Sequence, residues 1–255
     1  MNKYRFVISY DGTDYYGWQF QPTKPTIVGA LAKAYLNVFG EKITIQGCSR
    51  TDAGVHALGQ IGTFWSAVSV SPERMMSAWN NLLPSSIIIR DITLVPNSFH
   101  LHKNINFKQY YYYFFLDRPL PTVARFGWHH HKKVDIHKLA LGLQVFVGTH
   151  DFRSFATGDD RESTIRTIDR IDLIYIPELC AYRISIKGPK FLHYMIRRIV
   201  GAALYVASLE KYSINDLVTA LEQKDSRQQL PKAPAHGLVL RRIIYAQPGD
   251  LRYTE

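Results

Sequence analysis

The sequence predicts an α+β fold built from two ferredoxin-like βαββαβ halves, with a joined, mostly antiparallel sheet and a central cleft. Three observations carry this expectation. A chain of 255 residues permits one large domain or two small ones. At 46% hydrophobic and 20% charged residues it can fill a substantial core. Strand-like and helix-like segments alternate in one order through residues 1–104 and recur loosely in that order through residues 105–255. No repeat is visible at the level of residues, so the duplication rests on element order alone.

In the first half, residues 4–10 alternate as a strand and lead into a Gly-, Asp- and aromatic-rich loop through Pro22. Thr26 to Phe39 has helical spacing through Val28, Leu31, Ala34, Tyr35 and Val38, with Gly40 suited to end it. Strands follow at residues 43–47 and 59–67. Ser71 caps a helix that Pro72 opens and that runs to about Leu82, and a strand at residues 86–96 closes the half. In the second half, residues 107–116 form an aromatic strand and residues 135–146 a helix. Residues 168–176 and 181–187 are strands, 191–208 a long helix, 214–222 a further helix and 237–245 the last strand.

The formal net charge is +10 and the pI near 9.5. A surplus of this size fits a polyanionic partner, with nucleic acid the first candidate. Two cysteines, Cys48 and Cys180, make neither a disulfide framework nor a zinc spacing. Met1 runs directly into a strand pattern, and no signal peptide or transmembrane run is seen. A reducing, cytoplasmic location and no membrane partner are therefore expected.

The most informative stretch is Gly47-Cys48-Ser49-Arg50-Thr51-Asp52-Ala53-Gly54-Val55-His56-Ala57. It lies between two strand patterns, and its small residues let a planar ligand approach the backbone. By itself, Arg50-Thr51-Asp52 reads equally as a turn in which Asp52 bonds its own backbone. Further motifs span the chain in order. They are Tyr10-Asp11-Gly12-Thr13 with Gly17-Trp18-Gln19, Phe99-His100, Lys108-Gln109-Tyr110-x-Tyr112, and Gly148-Thr149-His150-Asp151-Phe152-x-Ser154-Phe155. Phe191-Leu192-x-x-Met195-Ile196-Arg197 and Ala233-Pro234-Ala235-x-Gly237-Leu238 complete the set. Together they resemble the TruA family of tRNA pseudouridine synthases, whose central motif reads G-x-G/S-R-T-D-A-G-V-H-A.

The resemblance implies the pseudouridine synthase fold and an isomerase of tRNA. Such an enzyme breaks the N1–C1′ bond of a uridine, turns the base and rejoins it through C5, at positions 38 to 40 of the anticodon stem-loop. It flips the uridine out of the stack, works as a homodimer and uses no cofactor and no metal. The carboxylate falls at Asp52, as nucleophile toward C6 of the base or C1′ of the ribose, or as an aid to loss of uracil. Sheltered by a bound base, it must stay ionised, which a neighbouring guanidinium favours. Arg197 is the candidate partner. Helical spacing puts it at the edge of an apolar arc through Leu192, Met195, Ile196, Ile199, Val200 and Ala203, with Arg198 on the solvated side. A stem laid over the core with its head in solvent is the plain alternative. Tyr110 maps onto the tyrosine that stacks on uracil, although Tyr110, Tyr112 and Phe114 share one strand face and read equally as core. Leu238 is expected to cover the other face of the base, and Arg50 and Thr51 to contact substrate.

His129-His130-His131 lacks carboxylate or cysteine partners at ligand spacing and reads as a basic loop, not a metal site. With Lys103, Lys108, Arg125, Lys187, Lys190, Arg198, Arg241 and Arg242 it forms the candidate phosphate surface. Two departures from the family pattern stand out. Ser49 replaces a common glycine, and residues 101–105 replace an Ala-Arg-Phe-like run, which bears on RNA docking. Rival readings are a silent RNA-binding protein on the same scaffold and a hydrolase with Asp52 as nucleophile. The hydrolase lacks the second carboxylate a glycosidase would pair with it.

Overall fold

A computed structural model describes residues 1–157, 163–228 and 230–246. The chain packs as two units, Met1–Ile105 with the segment from Val239, and Asn106–Leu238.

The first unit contains β1 (Asn2–Tyr10), α1 (Ile27–Phe39), β2 (Gln46–Gly47), β3 (His56–Ser66), α2 (Pro72–Leu82) and β4 (Ile87–Val95). β1 lies between β3 and β4 and is antiparallel to both, pairing Tyr4 with Phe64 and with Leu94. β2 adds antiparallel to β3, giving the ferredoxin-like order β4-β1-β3-β2. β11 (Leu238–Tyr245) lies parallel to β3 where Val239 faces His56.

The helices form where the caps predict. Thr26 accepts from the Gly29 amide, Gly40 ends α1 at φ +68°, and Ser71 accepts from the Arg74 amide ahead of Pro72. Their apolar stripes meet the sheet around Trp79. Its ring centroid is 4.7 Å from Tyr35 and 5.3 Å from Phe64, and its Nε1 donates to Leu31 O at 3.0 Å. Burial pushes the Tyr35 hydroxyl up to about 12 while it donates to Ser66 Oγ. The strand expected at residues 43–47 shrinks to Gln46–Gly47. Gln46 pairs with Thr63 and Gly47 with Gly62, where a Cβ on residue 62 would come within 2.4 Å of the Phe6 ring.

The second unit contains β5 (Ile105–Phe115), β6 (Trp128–His129), α3 (Ile136–Gln144), β7 (Gly148–Asp151), β8 (Ile165–Ile168), β9 (Arg170–Ile176), β10 (Ala181–Gly188), α4 (Met195–Ala207) and α5 (Ile214–Glu222). β10 pairs antiparallel with β5 and β9, setting Ile184 opposite Tyr112 and Leu173. The single strand expected at residues 168–176 is divided at Asp169. The Asp169 amide bonds Lys187 O at 2.8 Å, and β8 turns away to pair with β7. The helix expected from Phe191 starts at Met195, because Tyr194 takes the left-handed conformation at φ +61°. Among the described residues no helix is long and apolar enough to cross a membrane.

Candidate active site

The loop that carries Asp52 is held from behind by the opening motif of the chain. Tyr10 Oη lies 2.8 Å from Thr51 Oγ1, the Trp18 amide donates to Thr51 O at 3.1 Å, and the Gly54 amide donates to Tyr15 O at 3.2 Å. Gly17 sits at φ +89° with its missing Cβ 2.6 Å from Thr51 O, so no other residue fits there without moving the loop. Gly12 presses on Val55 O and donates its amide to His56 Nδ1 at 3.1 Å. The same nitrogen stands 3.1 Å from Asp11 Oδ1.

The base of the loop is clamped by Gln60. Its Oε1 accepts from the Ser49 amide at 3.1 Å, and its Nε2 donates to Ser49 O. Ser49, the departure from glycine, is thus buried and used through its backbone. Within this frame Thr51 is buried, Asp52 half-buried and Arg50 exposed. The Thr51 hydroxyl is occupied by Tyr10, which gives this residue a positioning task. The result is a carboxylate on a loop whose backbone is held at both ends.

In the second unit the structure builds a corresponding setting around Arg197. The residue is 9% exposed on α4. Its Nε donates to Ala233 O at 2.8 Å, and the Ala233 amide donates back to Arg197 O at 2.9 Å. The guanidinium carbon lies 5.4 Å from the ring of Tyr194, and Lys232 Nζ lies 3.9 Å from the same ring. Gly201 makes this approach possible, since a Cβ there would meet Pro231 O at 2.3 Å. The helix motif and the C-terminal motif therefore meet in one contact, which sequence spacing had left separate.

The turn at residues 234–237 continues this frame. Tyr112 Oη donates to Pro234 O at 3.0 Å, and Gly237 leaves the room its ring needs. Burial holds the Tyr112 hydroxyl well above its ordinary range, with Arg197 partly opposing. Burial, and then the charge of Arg197, lower the pKa of His236. Tyr110 is buried on the same strand face as Tyr112 and Phe114, edge-on to Phe191 at 5.3 Å. Leu238 is buried at the start of β11.

Other expectations are corrected. Arg198 is half-buried, not a freely solvated side chain. Its guanidinium donates to Ala156 O at 3.0 Å and Thr157 Oγ1 at 2.9 Å, and burial lowers its pKa. Lys108 is buried and leaves the candidate phosphate surface. The Gly148–Phe155 motif is spent on structure: Phe152 and Phe155 are fully buried, Ser154 Oγ accepts from the Asp225 amide, and Asp151 Oδ1 accepts from the Arg153 amide. Leu101, in the divergent segment, is buried, and its carbonyl receives the Tyr245 hydroxyl at 2.7 Å. Tyr194 was missed: its place in the helix motif carries no fixed residue type, and its conformation has no periodic signature.

The family described as tRNA pseudouridine synthase matches residues 6–102 and 143–246. The tRNA pseudouridine synthase A of Brachyspira hyodysenteriae is 37% identical over 249 residues, covering 96% of this chain and 99% of that protein. That of Thermodesulfovibrio yellowstonii is 33% identical over 253 residues, covering 94% and 98%. A solved Cbf5-Nop10-Gar1 complex aligns with 79% of this chain and 45% of its own at a TM-score of 0.35 and 14% identity, too slight a likeness to add to the fold. The family match and these relatives define an isomerase of the pseudouridine synthase kind. The chain belongs to the tRNA pseudouridine synthase family.

Proposed function

We propose that this protein converts uridine to pseudouridine in the anticodon stem-loop of tRNA, at positions 38 to 40, acting in the cytoplasm as a homodimer. Its relatives carry tRNA in their names, and the net charge of +10 suits a polyphosphate partner. The observation that carries the reading is the fixed, half-buried Asp52 on a loop that Tyr10, Gly17 and Gln60 hold.

On this reading the target uridine leaves the stack and Asp52 supplies the nucleophile. Attack at C1′ displaces uracil as the N1–C1′ bond breaks, while attack at C6 loosens the same bond through the ring. The base then turns, C5 bonds to C1′ as the bond from Asp52 to C1′ or C6 breaks and frees the carboxylate, the proton leaves C5, and N1 takes a proton. Atoms balance without oxidant or cofactor. Arg197, held by Ala233 and Tyr194, is the guanidinium partner of the carboxylate on this reading. Tyr110 stacks on the uracil, Leu238 covers its other face, and Arg50 contacts the RNA backbone. Incubating the protein with an unmodified tRNA transcript and mapping pseudouridine tests this. Product within the anticodon stem-loop is expected. Product elsewhere overturns the site assignment, and no product on any tRNA overturns the activity.

A further inference from the structure

A second feature of the Asn106–Leu238 unit has no part in this chemistry. A cavity of about 700 Å³ opens between residues 118–131 and the turn at residues 234–236, lined by Arg118, Trp128, His129, His131, Pro234 and His236 among others. Its size falls within the ~300–1,000 Å³ of small-ligand sites. One wall is rigid. β6 pairs parallel with β5, setting Trp128 opposite Phe114 and His129 opposite Phe115, and the His130 amide donates to Phe115 O at 2.9 Å. Gly127 lies against the Phe115 ring, where a Cβ would come within 2.4 Å. Trp128 is braced edge-on by His130 at 4.6 Å, and His129 and His131 face each other at 4.3 Å. The other wall is the turn whose neighbour Ala233 holds Arg197.

The charge here has one sign. Residues 118–134 contain Arg118, Arg125, Lys132, Lys133 and three histidines, and no carboxylate. A half-buried indole beside cationic and imidazole groups is the chemistry that takes a nucleobase and its phosphate. Among the described residues no set of three or more His, Cys, Asp or Glu side chains is disposed to hold a metal.

We propose that this cavity binds one unpaired nucleotide of the RNA substrate, outside the target uridine. Its base stacks on Trp128, its phosphate meets Arg118 and His131, and its edge bonds His129 or His236. This rests on the RNA-modifying reading above. Occupancy presses on the turn that carries Ala233, so it couples RNA docking to the seating of Arg197.

The test uses binding, so that it stands apart from turnover. Tryptophan fluorescence is titrated with a short oligouridylate, and filter binding to a tRNA transcript is measured at several salt concentrations. Of the four tryptophans, Trp18 and Trp79 are fully buried and Trp65 lies in the other unit. Quenching is expected to survive Trp65→Phe and to disappear in Trp128→Phe. Trp128→Ala is expected to weaken tRNA binding about 5- to 160-fold, the range for loss of one stacked base. Arg118→Gln, at an exposed position that leaves the fold intact, is expected to lower the log–log salt slope by about 0.7 to 0.9. Wild-type affinity and slope in Arg118→Gln, or quenching retained in Trp128→Phe, overturn the proposal. So does a change of oligomeric state in these variants with RNA binding intact, which would assign the cavity to a subunit contact. Failure of the wild type to make pseudouridine while these binding effects hold would overturn the activity and leave the cavity standing.

Discussion

Gly201→Ala is the substitution whose effect the structure fixes most closely. A Cβ at residue 201 would lie 2.3 Å from Pro231 O and 2.8 Å from the Ala233 amide nitrogen. Both obstacles are backbone, so α4 and residues 231–233 must separate by about an ångström to restore ordinary contact. That motion breaks two hydrogen bonds, Arg197 Nε to Ala233 O at 2.8 Å and the Ala233 amide to Arg197 O at 2.9 Å. The first involves a charged donor, worth about 1.5–3 kcal/mol, and the second about 1 kcal/mol. Alanine regains about 1 kcal/mol through its better helix propensity. The net cost is therefore about 1.5–3 kcal/mol, or roughly 3–12 °C in Tm for a chain of this size. Gly40→Ala is the control. Nothing lies within 4 Å of a Cβ there, so only the left-handed conformation at φ +68° is penalised, by about 1–2 kcal/mol. Denaturant unfolding of both variants decides. Gly201→Ala should also lose turnover at temperatures where it is folded, because Arg197 is unseated, and Gly40→Ala should keep it. A cost below about 0.5 kcal/mol for Gly201→Ala, with full activity, would show that the close approach of residues 231–233 to α4 does not seat Arg197.

Arg197→Lys should lose most turnover with little change in fold, because an ammonium reproduces neither the Nε bond to Ala233 nor a two-pronged contact; single-turnover kinetics check this. Tyr10→Phe should cost about 1–3 kcal/mol by leaving the buried Thr51 hydroxyl without its partner, and should lower turnover by loosening the Asp52 loop; thermal unfolding and initial rates measure the two effects. Burial lowers the pKa of both His130 and His236. The folded state thus binds fewer protons than the unfolded state just below the ordinary histidine value. Stability should be complete above about pH 6.5 and fall as pH drops through the lowered values. Denaturant titrations at several pH values should show a shallower acid slope in His130→Gln.

The elements that sequence revealed best are those with local causes. Ser71 accepts the Arg74 amide as its place before Pro72 predicts, and Gly40 ends α1 as expected. The Asp52 loop was legible because eleven consecutive residues carry a pattern. The frame behind it was less so, since Tyr10, Gly17 and Gln60 reach it through contacts that span up to 41 residues. Arg198 was misread because helical phase reports which way a residue points on its own helix. It does not report that residues 154–157 lie there to accept its hydrogen bonds. Tyr194 and the division at Asp169 depend on single backbone conformations and tertiary bonds, which leave no periodic trace. The Gly148–Phe155 motif shows the converse case, a strong pattern whose cause is packing.

The most direct measurement of the central claim follows the hydrogen on C5. Forming the C5–C1′ bond expels it, so a tRNA transcript labelled with tritium at C5 of its uridines releases one tritium for each uridine converted. Wild-type protein should release label, while Asp52→Asn should release none above background and still bind the same tRNA with near wild-type affinity in filter binding. Release by Asp52→Asn at a rate comparable to wild type would show that the carboxylate is not the nucleophile and that the fixed loop is only a turn.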